Sequence, residues 1–144
     1  SLQYTKREGT LNHLNSGGEA WYFRNRRNTS MKFEKAKVFN LENCIVYADG
    51  GVVSKELVHT DFGSVTLFSF DEGQGLSPHQ APYDALIYVI DGKMELTVNG
   101  KTNVLKKGES FIIPAGALHA VNAPERFKMQ LTMISNKKEA DASC

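Results

Sequence analysis

The sequence predicts an all-β domain of the sandwich or barrel type. From Cys44 onward it consists of short strand-like runs at about 8–12-residue spacing, separated by turn signals rich in Gly, Asp and Asn. Asp91-Gly92 and Asn99-Gly100 are dipeptides typical of tight hairpins, so we expect a hairpin at each. No comparable stretch has the 3.6-residue periodicity of an amphipathic helix.

Length and charge exclude several classes of function. A chain of 144 residues corresponds to one ordinary domain, and 17 basic against 16 acidic residues give no strong field for nucleic acid or an anionic membrane. No window approaches the roughly 20 apolar residues of a membrane span, and the N-terminus lacks the apolar core of a signal peptide. With only two distant cysteines, we expect a cytoplasmic protein without nucleic-acid or membrane partners.

The composition changes near Met31 and suggests three segments. Residues 1–30 hold five basic and two acidic residues, with a loop-like stretch and an aromatic run at Trp21 to Phe23. We interpret 1–30 as an N-terminal extension that pairs with a sheet edge or a second subunit, and the sequence leaves open whether it is native. Residues 31–136 form the predicted barrel and residues 137–144 a polar tail.

Strict alternation predicts which side chains face the interior. The expected inward set on two strands is apolar throughout: Met94, Leu96, Val98, Phe127, Met129, Leu131 and Met133. Strand spacing alone accounts for these methionines, so we interpret them as core residues and not as sulfur ligands of a metal.

The run "DALIYVID" is apolar on both faces and therefore needs two covers. Ala85, Ile87 and Val89 form one row, which we expect to face the barrel interior. The other row is Leu86, Tyr88 and Ile90. Either the N-terminal segment or a second subunit has to cover that second row, and we expect a homodimer.

Two of the four histidines stand between residues that fix turns. His79 follows Gly73 and Pro78, and His119 follows Pro114 and Gly116. His13, in the polar extension, and His59, at the end of a strand-like run, are expected to face solvent.

These positions resemble the two sequence motifs of small single-domain bacterial cupins. The first motif runs from Gly73 through His79 to Gly92, but Ala81 stands where the family has a second His and Ala85 where it has Glu. The second motif is matched by Gly108, Pro114, Gly116 and His119. The likeness covers about residues 35–134 and is greatest to an uncharacterised subfamily with a partly lost metal-ligand set.

The resemblance implies a double-stranded β-helix, a jelly-roll barrel, with the site at its mouth. Family members with the full ligand set hold a divalent metal. In this sequence the resemblance leaves only His79 and His119 as ligands, for Zn, Ni, Fe or Mn. Gln80 and Asp84 are out of phase with the lost ligand positions and are not expected to replace them.

Three interpretations of the pair remain open: a two-histidine metal site, a metal-free pocket in which the imidazoles bind a polar ligand or act as acid and base, and a filled barrel without a site. The expected pocket residues are His79, Ala81, Ala85, Ile87, Met94, His119 and Met129. We therefore expect a small-molecule-binding protein. The alternatives are a metal-dependent enzyme of dioxygenase or isomerase type and a purely structural or interaction protein.

Overall fold

The computed structural model confirms the all-β fold, and it describes residues 33–135 together with the backbone of residues 3–7 and 10–14. The strands within these ranges are β1 (Gln3–Arg7), β2 (Thr10–Leu14), β3 (Val52–Thr60), β4 (Gly63–Phe70), β5 (Gly75–His79), β6 (Tyr83–Val98), β7 (Lys101–Lys106), β8 (Ser110–Ile113), β9 (His119–Asn122) and β10 (Phe127–Ser135). A short 3-10 turn, Glu42–Cys44, precedes β3. In the described part of the chain, no helix combines the length and apolarity needed to cross a membrane.

The strands form two sheets that share β6. In the first sheet β3, β4, β10, the first part of β6 and β8 are antiparallel neighbours. In the second sheet the last part of β6 pairs with β7 and β9, and β9 pairs with β5. The hairpin β1–β2 extends the first sheet, because β1 pairs in parallel with β3. This is the predicted jelly-roll barrel, and part of the N-terminal extension lies at a sheet edge. The aromatic run at 21–23 lies outside the described residues.

Of the two predicted hairpins, the one at Asn99-Gly100 is confirmed. Val98 pairs with Lys101, and both turn residues have positive φ, 49° and 84°, as a two-residue hairpin loop of this kind requires. The hairpin predicted at Asp91-Gly92 is wrong, because Tyr83–Val98 is one continuous strand.

Gly92 serves instead as the point where β6 passes from one sheet to the other. Residues up to Gly92 pair with β10, and residues from Lys93 onward pair with β7. The φ of Gly92 is 76°, and a Cβ there would collide with the carbonyl oxygen of Arg126 and the Cα of Phe127. The Asp91-Gly92 dipeptide therefore marks a backbone conformation that only glycine adopts easily. Here that conformation forms a bend within one strand and not a hairpin turn.

The main core lies between the two sheets, and the predicted inward rows are confirmed. Met94, Leu96, Met129 and Leu131 are at most 2% exposed. Their neighbours in the same apolar cluster include Ala85, Ile87, Val89, Phe127 and Met133, with Val98 packed against it. At the end of the barrel near Gly92, the rings of Phe70 and Phe127 stack with centroids 4.7 Å apart.

A second apolar cluster on the outer face of the first sheet covers part of the second row of β6. It consists of Ile45, Val53, Leu67 and Ile90, with residues of the 41–48 segment packed against it. The chain immediately before β3 therefore covers Ile90. Leu86 and Tyr88 of the same row stay 41% and 39% exposed.

Tyr47 fastens this covering segment to the bend in β6. Its hydroxyl donates a 2.6 Å hydrogen bond to Asp91, and the Arg126 guanidinium and Lys128 ammonium lie over its ring at 4.6 and 5.1 Å. Desolvation by burial, and then the hydrogen bond to Asp91, raise the pKa of Tyr47 well above its ordinary value. The phenol therefore keeps its proton and remains a donor across the ordinary pH range.

Replacing Gly92 by alanine is expected to lower the free energy of unfolding by more than about 2 kcal/mol, because left-handed strain and the collision with Arg126 act together. Urea unfolding followed by circular dichroism measures the loss. Gly100→Ala is the matched control, since φ is 84° there but no atom lies within 4 Å of the added Cβ. It should cost only about 1 kcal/mol. Equal losses in the two variants would contradict the close approach at Gly92.

Candidate functional site

His79 is the last residue of β5, and a local irregularity of the strand turns it inward. The register of β5 against β9 shifts between Leu76 and His79, where Pro78 interrupts the ladder. The imidazole is 6% exposed, and its Nδ1 lies 2.8 Å from the carbonyl oxygen of Ser77. His79 is thus held by its own strand in one ring orientation.

His119 is the first residue of β9 and is held in the same way. The preceding turn contains Gly116 with a φ of 83°, whose N–H donates to the carbonyl of Ala81 at 2.8 Å and so ties the two sequence motifs together. The His119 ring is 5% exposed, with Nδ1 2.9 Å from the carbonyl oxygen of Ala117.

The structure brings the two histidines together. They are directly opposite each other in the antiparallel pair β5–β9, with ring centroids 4.2 Å apart and ring planes at 60°. The two histidines belong to separate sequence motifs, and the sequence predicts that they pair. The fold brings them into contact by placing the two motifs on neighbouring strands.

Hydrogen bonding decides which nitrogen of each ring carries the lone pair. A carbonyl oxygen only accepts, so Nδ1 of each neutral ring carries the proton and Nε2 carries the lone pair. Burial lowers the pKa of both imidazoles, and the charge of a protonated His119 would lower that of His79 further. The pair is therefore neutral at neutral pH and carries two imidazole nitrogens suited to a metal or a hydrogen-bond donor.

The remaining predicted pocket residues are all buried. Ala81 and Ala85 are 6% and 5% exposed. Ile87, Met94 and Met129 lie in the main apolar core, so a pocket would have them as its floor. Their assignment to a ligand pocket stays a prediction.

The two polar neighbours that were considered as substitute ligands are both exposed. Gln80 is exposed, and Asp84 is exposed with its carboxylate accepting a 2.9 Å hydrogen bond from the Ala115 N–H. Among residues 33–135 there is no group of three or more His, Cys, Asp or Glu side chains close enough to hold a metal.

A second polar contact, between Glu56 and His59, was not predicted from the sequence. His59 is exposed, as expected, but its side chain is 28% exposed, with Nδ1 3.2 Å from a carboxylate oxygen of Glu56. The only sequence signal is their three-residue spacing, which places two side chains on opposite faces of a regular strand. The side chain of His13 lies outside the described residues.

The lowered pKa values predict how stability depends on pH. Because folding lowers the pKa of both histidines, the unfolded chain takes up protons at a higher pH than the folded chain. The stabilisation is complete above the unfolded value of 6.5 and is lost as the pH falls through the lower folded values. Urea unfolding between about pH 7 and pH 5 should show a smaller loss of stability in His79→Gln/His119→Gln than in the wild type. Identical pH profiles would contradict a neutral buried pair.

Comparison with known proteins identifies the family to which this fold belongs. A sequence profile described as a cupin domain matches residues 66–135. A conserved protein of unknown function from Streptococcus pyogenes is 32% identical, with a TM-score of 0.69 over 72% of this chain and 91% of its own. A cupin 2 conserved barrel domain protein from Leptotrichia buccalis is 44% identical, with a TM-score of 0.66 over 67% of this chain and 47% of its own, so this chain spans about half of that protein.

A cupin superfamily protein from Desulfitobacterium hafniense shares the fold, with 24% identity and a TM-score of 0.69 over 73% of this chain and 96% of its own. A search of curated proteins finds no significant match. The sequence profile, the shared barrel and the spacing of the two motifs lead to one conclusion: this chain belongs to the cupin family.

Proposed function

We propose that this chain binds a small molecule at the mouth of its barrel, where His79 and His119 supply the polar contacts. One observation carries the proposal: two buried neutral imidazoles in direct contact, each fixed by an Nδ1–H bond to a backbone carbonyl. The two backbone bonds hold both rings in fixed orientations, and such a preorganised pair of polar groups in an otherwise apolar setting is typical of a ligand site.

The pair also fits a divalent metal in part. Histidine ligands of metals commonly donate their other ring N–H to a backbone carbonyl, as both rings do here, which fixes the tautomer and strengthens the ligand. Two imidazoles are fewer than the three or four protein ligands of ordinary zinc sites. We propose that His79 and His119 hold one divalent ion weakly, with the ligand or water completing its coordination. When bound, the ion would act as a Lewis acid toward that ligand.

Charge indicates the kind of ligand that a metal-loaded pair would favour. The position that carries a Glu in the family is Ala85, so no carboxylate stands there to balance a dication. A divalent ion held by neutral ligands in a poorly solvated mouth keeps most of its charge. A carboxylate-bearing ligand would supply the missing negative charge.

The two alternatives differ from this proposal in testable ways. A metal-dependent enzyme of dioxygenase or isomerase type rests on family analogy, since the barrel hosts many activities. A filled barrel without a site is favoured by one observation, the near-complete burial of Ile87, Met94 and Met129. It leaves unexplained why two histidines are buried in contact at one end.

Metal binding tests the proposal most directly. The wild type, dialysed and titrated with Zn²⁺ or Ni²⁺ by calorimetry, is expected to bind about one ion per chain in the micromolar range. His79→Ala and His119→Ala should each weaken binding at least about tenfold, because each removes one of two protein ligands. Gln80→Ala is the matched control, because its exposed side chain adjoins His79 on the other face of the strand. Unchanged metal affinity in both histidine variants would contradict the metal site.

We also propose that the exposed apolar part of the first sheet is the interface of a homodimer. Leu86 and Ile112 are cross-strand partners, 41% and 65% exposed, with Tyr88 and Ile134 on the same outer face at 39% and 62%. Between them the sheet face carries Thr132 and Gln130, and the exposed Asp84, opposite Ile134, lies at its edge. A sheet face that is mostly apolar and exposed suits a second copy of the same chain.

A single charge in this face should break the dimer. Leu86→Glu is expected to shift the mass measured by light scattering from dimer to monomer, because a carboxylate would be buried without a partner. Val104→Glu, at 53% exposure on β7 of the other sheet, is the control and should leave the mass unchanged. A wild type that is monomeric at high micromolar concentration would contradict the interface.

A further inference from the structure

β3 carries a Glu–His contact whose geometry depends on a bulge. Glu56 and His59 are three residues apart, and their side chains meet at 3.2 Å. The register of β3 against β4 shifts between Glu56 and Val58, so β3 holds one extra residue there. That extra residue reverses the alternation and places both side chains on one face.

This face is the inner face of the barrel. Glu56 is opposite Thr66, and His59 is opposite Ser64. β4 pairs with β10 without interruption, and its Phe68 lies in the main core, so Thr66 and Ser64 share the core-facing side by period two. Residues opposite each other in an antiparallel pair point to the same side of the sheet.

The burial of the two side chains agrees with an inward position. The side chains of Glu56 and His59 are 21% and 28% exposed, whereas those of the surface pair Glu34–Lys37 are 72% and 67% exposed. Leu57, the residue between them, packs against the cluster on the outer face. The Glu56–His59 contact therefore lies at the rim of the barrel, where Glu56 is half-buried and His59 still meets solvent.

Strand register places this pair at the same end of the barrel as the two histidines of the site. Ser64, the cross-strand partner of His59, pairs with Met133, and Met133 pairs with Ala85. His59 therefore lies in the same cross-strand row as Ala85, the position at which the family motif has Glu. Ala85 and Val98 are almost equally far from the bend at Gly92, on the two arms of β6. Val98 is the partner of His119. The Glu56–His59 pair on the first sheet and the His79–His119 pair on the second sheet therefore both lie at the end of the barrel away from Gly92.

We propose that Glu56 and His59 form a second polar subsite in the barrel mouth, which binds a hydroxyl or ammonium group at the far end of the ligand. This proposal rests on the proposed function, in which the near end of the ligand meets His79 and His119. An ionised carboxylate only accepts hydrogen bonds, so the subsite selects a donor group. Since stacked sheets lie about 10 Å apart, a linear ligand of a few carbon atoms spans the mouth.

A matched series of small carboxylates tests the subsite. Butyrate, 4-hydroxybutyrate and 4-aminobutyrate, with their three- and five-carbon homologues, are titrated by NMR into the full chain with Zn²⁺ in excess. The carboxylate end is common, and only the far end changes from methyl to hydroxyl to ammonium. The wild type is expected to bind a hydroxy or amino compound roughly fivefold or more tightly than its methyl counterpart. The comparison of the two also shows which donor the subsite takes.

Variants assign the preference to its residue. Glu56→Leu, which removes the charge and both acceptor oxygens, should abolish the preference, and Glu56→Asp, which keeps the charge, should retain part of it. Glu95→Gln makes the same charge change on the outward side of β6, where Glu95 contacts Asn122, and should bind like the wild type.

The possible outcomes separate the two proposals. Equal affinity of the wild type for all compounds of one chain length, or an unchanged preference in Glu56→Leu, overturns the subsite alone. Failure of every compound to bind the zinc-supplemented wild type overturns both the subsite and the proposed function on which it rests.

Discussion

The passage of β6 from one sheet to the other at Gly92 is the constraint on which the rest of the barrel depends. β6 pairs with β10 and β8 on one side of Gly92 and with β7 and β9 on the other, so its bend fixes the relative position of both sheets. The backbone of Arg126 and Phe127 lies where a Cβ would be, and the Tyr47–Asp91 hydrogen bond holds the covering segment at the same point. This bend sets the positions of Ala85 and Val98 along the barrel axis. The two walls of the mouth, one on each sheet, depend on these positions.

Much of the fold could be predicted because period-two alternation and turn residues are local signals. The inward rows containing Met94 and Met129 and the hairpin at Asn99-Gly100 were predicted correctly for this reason. The prediction failed at Asp91-Gly92, where the same dipeptide chemistry serves a bend within one strand. A positive φ is all that such a dipeptide encodes, and the pairing partners that distinguish a bend from a hairpin lie far away in the chain.

The site was predictable only in the part fixed by motif spacing. His79 and His119 could be paired because glycine and proline positions place them at strand ends of a known barrel. The inward position of Glu56 and His59 could not be predicted, because it depends on a bulge at Leu57 that is visible only in the pairing of β3 with β4. Likewise, nothing local showed that residues 41–48 would cover Ile90, since that contact is made by the packing of an irregular segment on a sheet.

The two proposed subsites differ in charge, and this difference would orient a ligand. The β5–β9 wall offers neutral imidazole nitrogens, because burial lowers the pKa of both rings, and a metal there would make that wall positive. The β3–β4 wall offers a carboxylate. A ligand with an anionic end and a donor end is then bound in one direction, whereas a dicarboxylate meets like charge at Glu56. In this proposal the acidic group of the mouth is Glu56, on a different strand from both histidines, whereas Ala85 has no carboxylate to balance a metal. An acidic group at that distance would select the far end of the ligand and would not neutralise an ion held by the histidines.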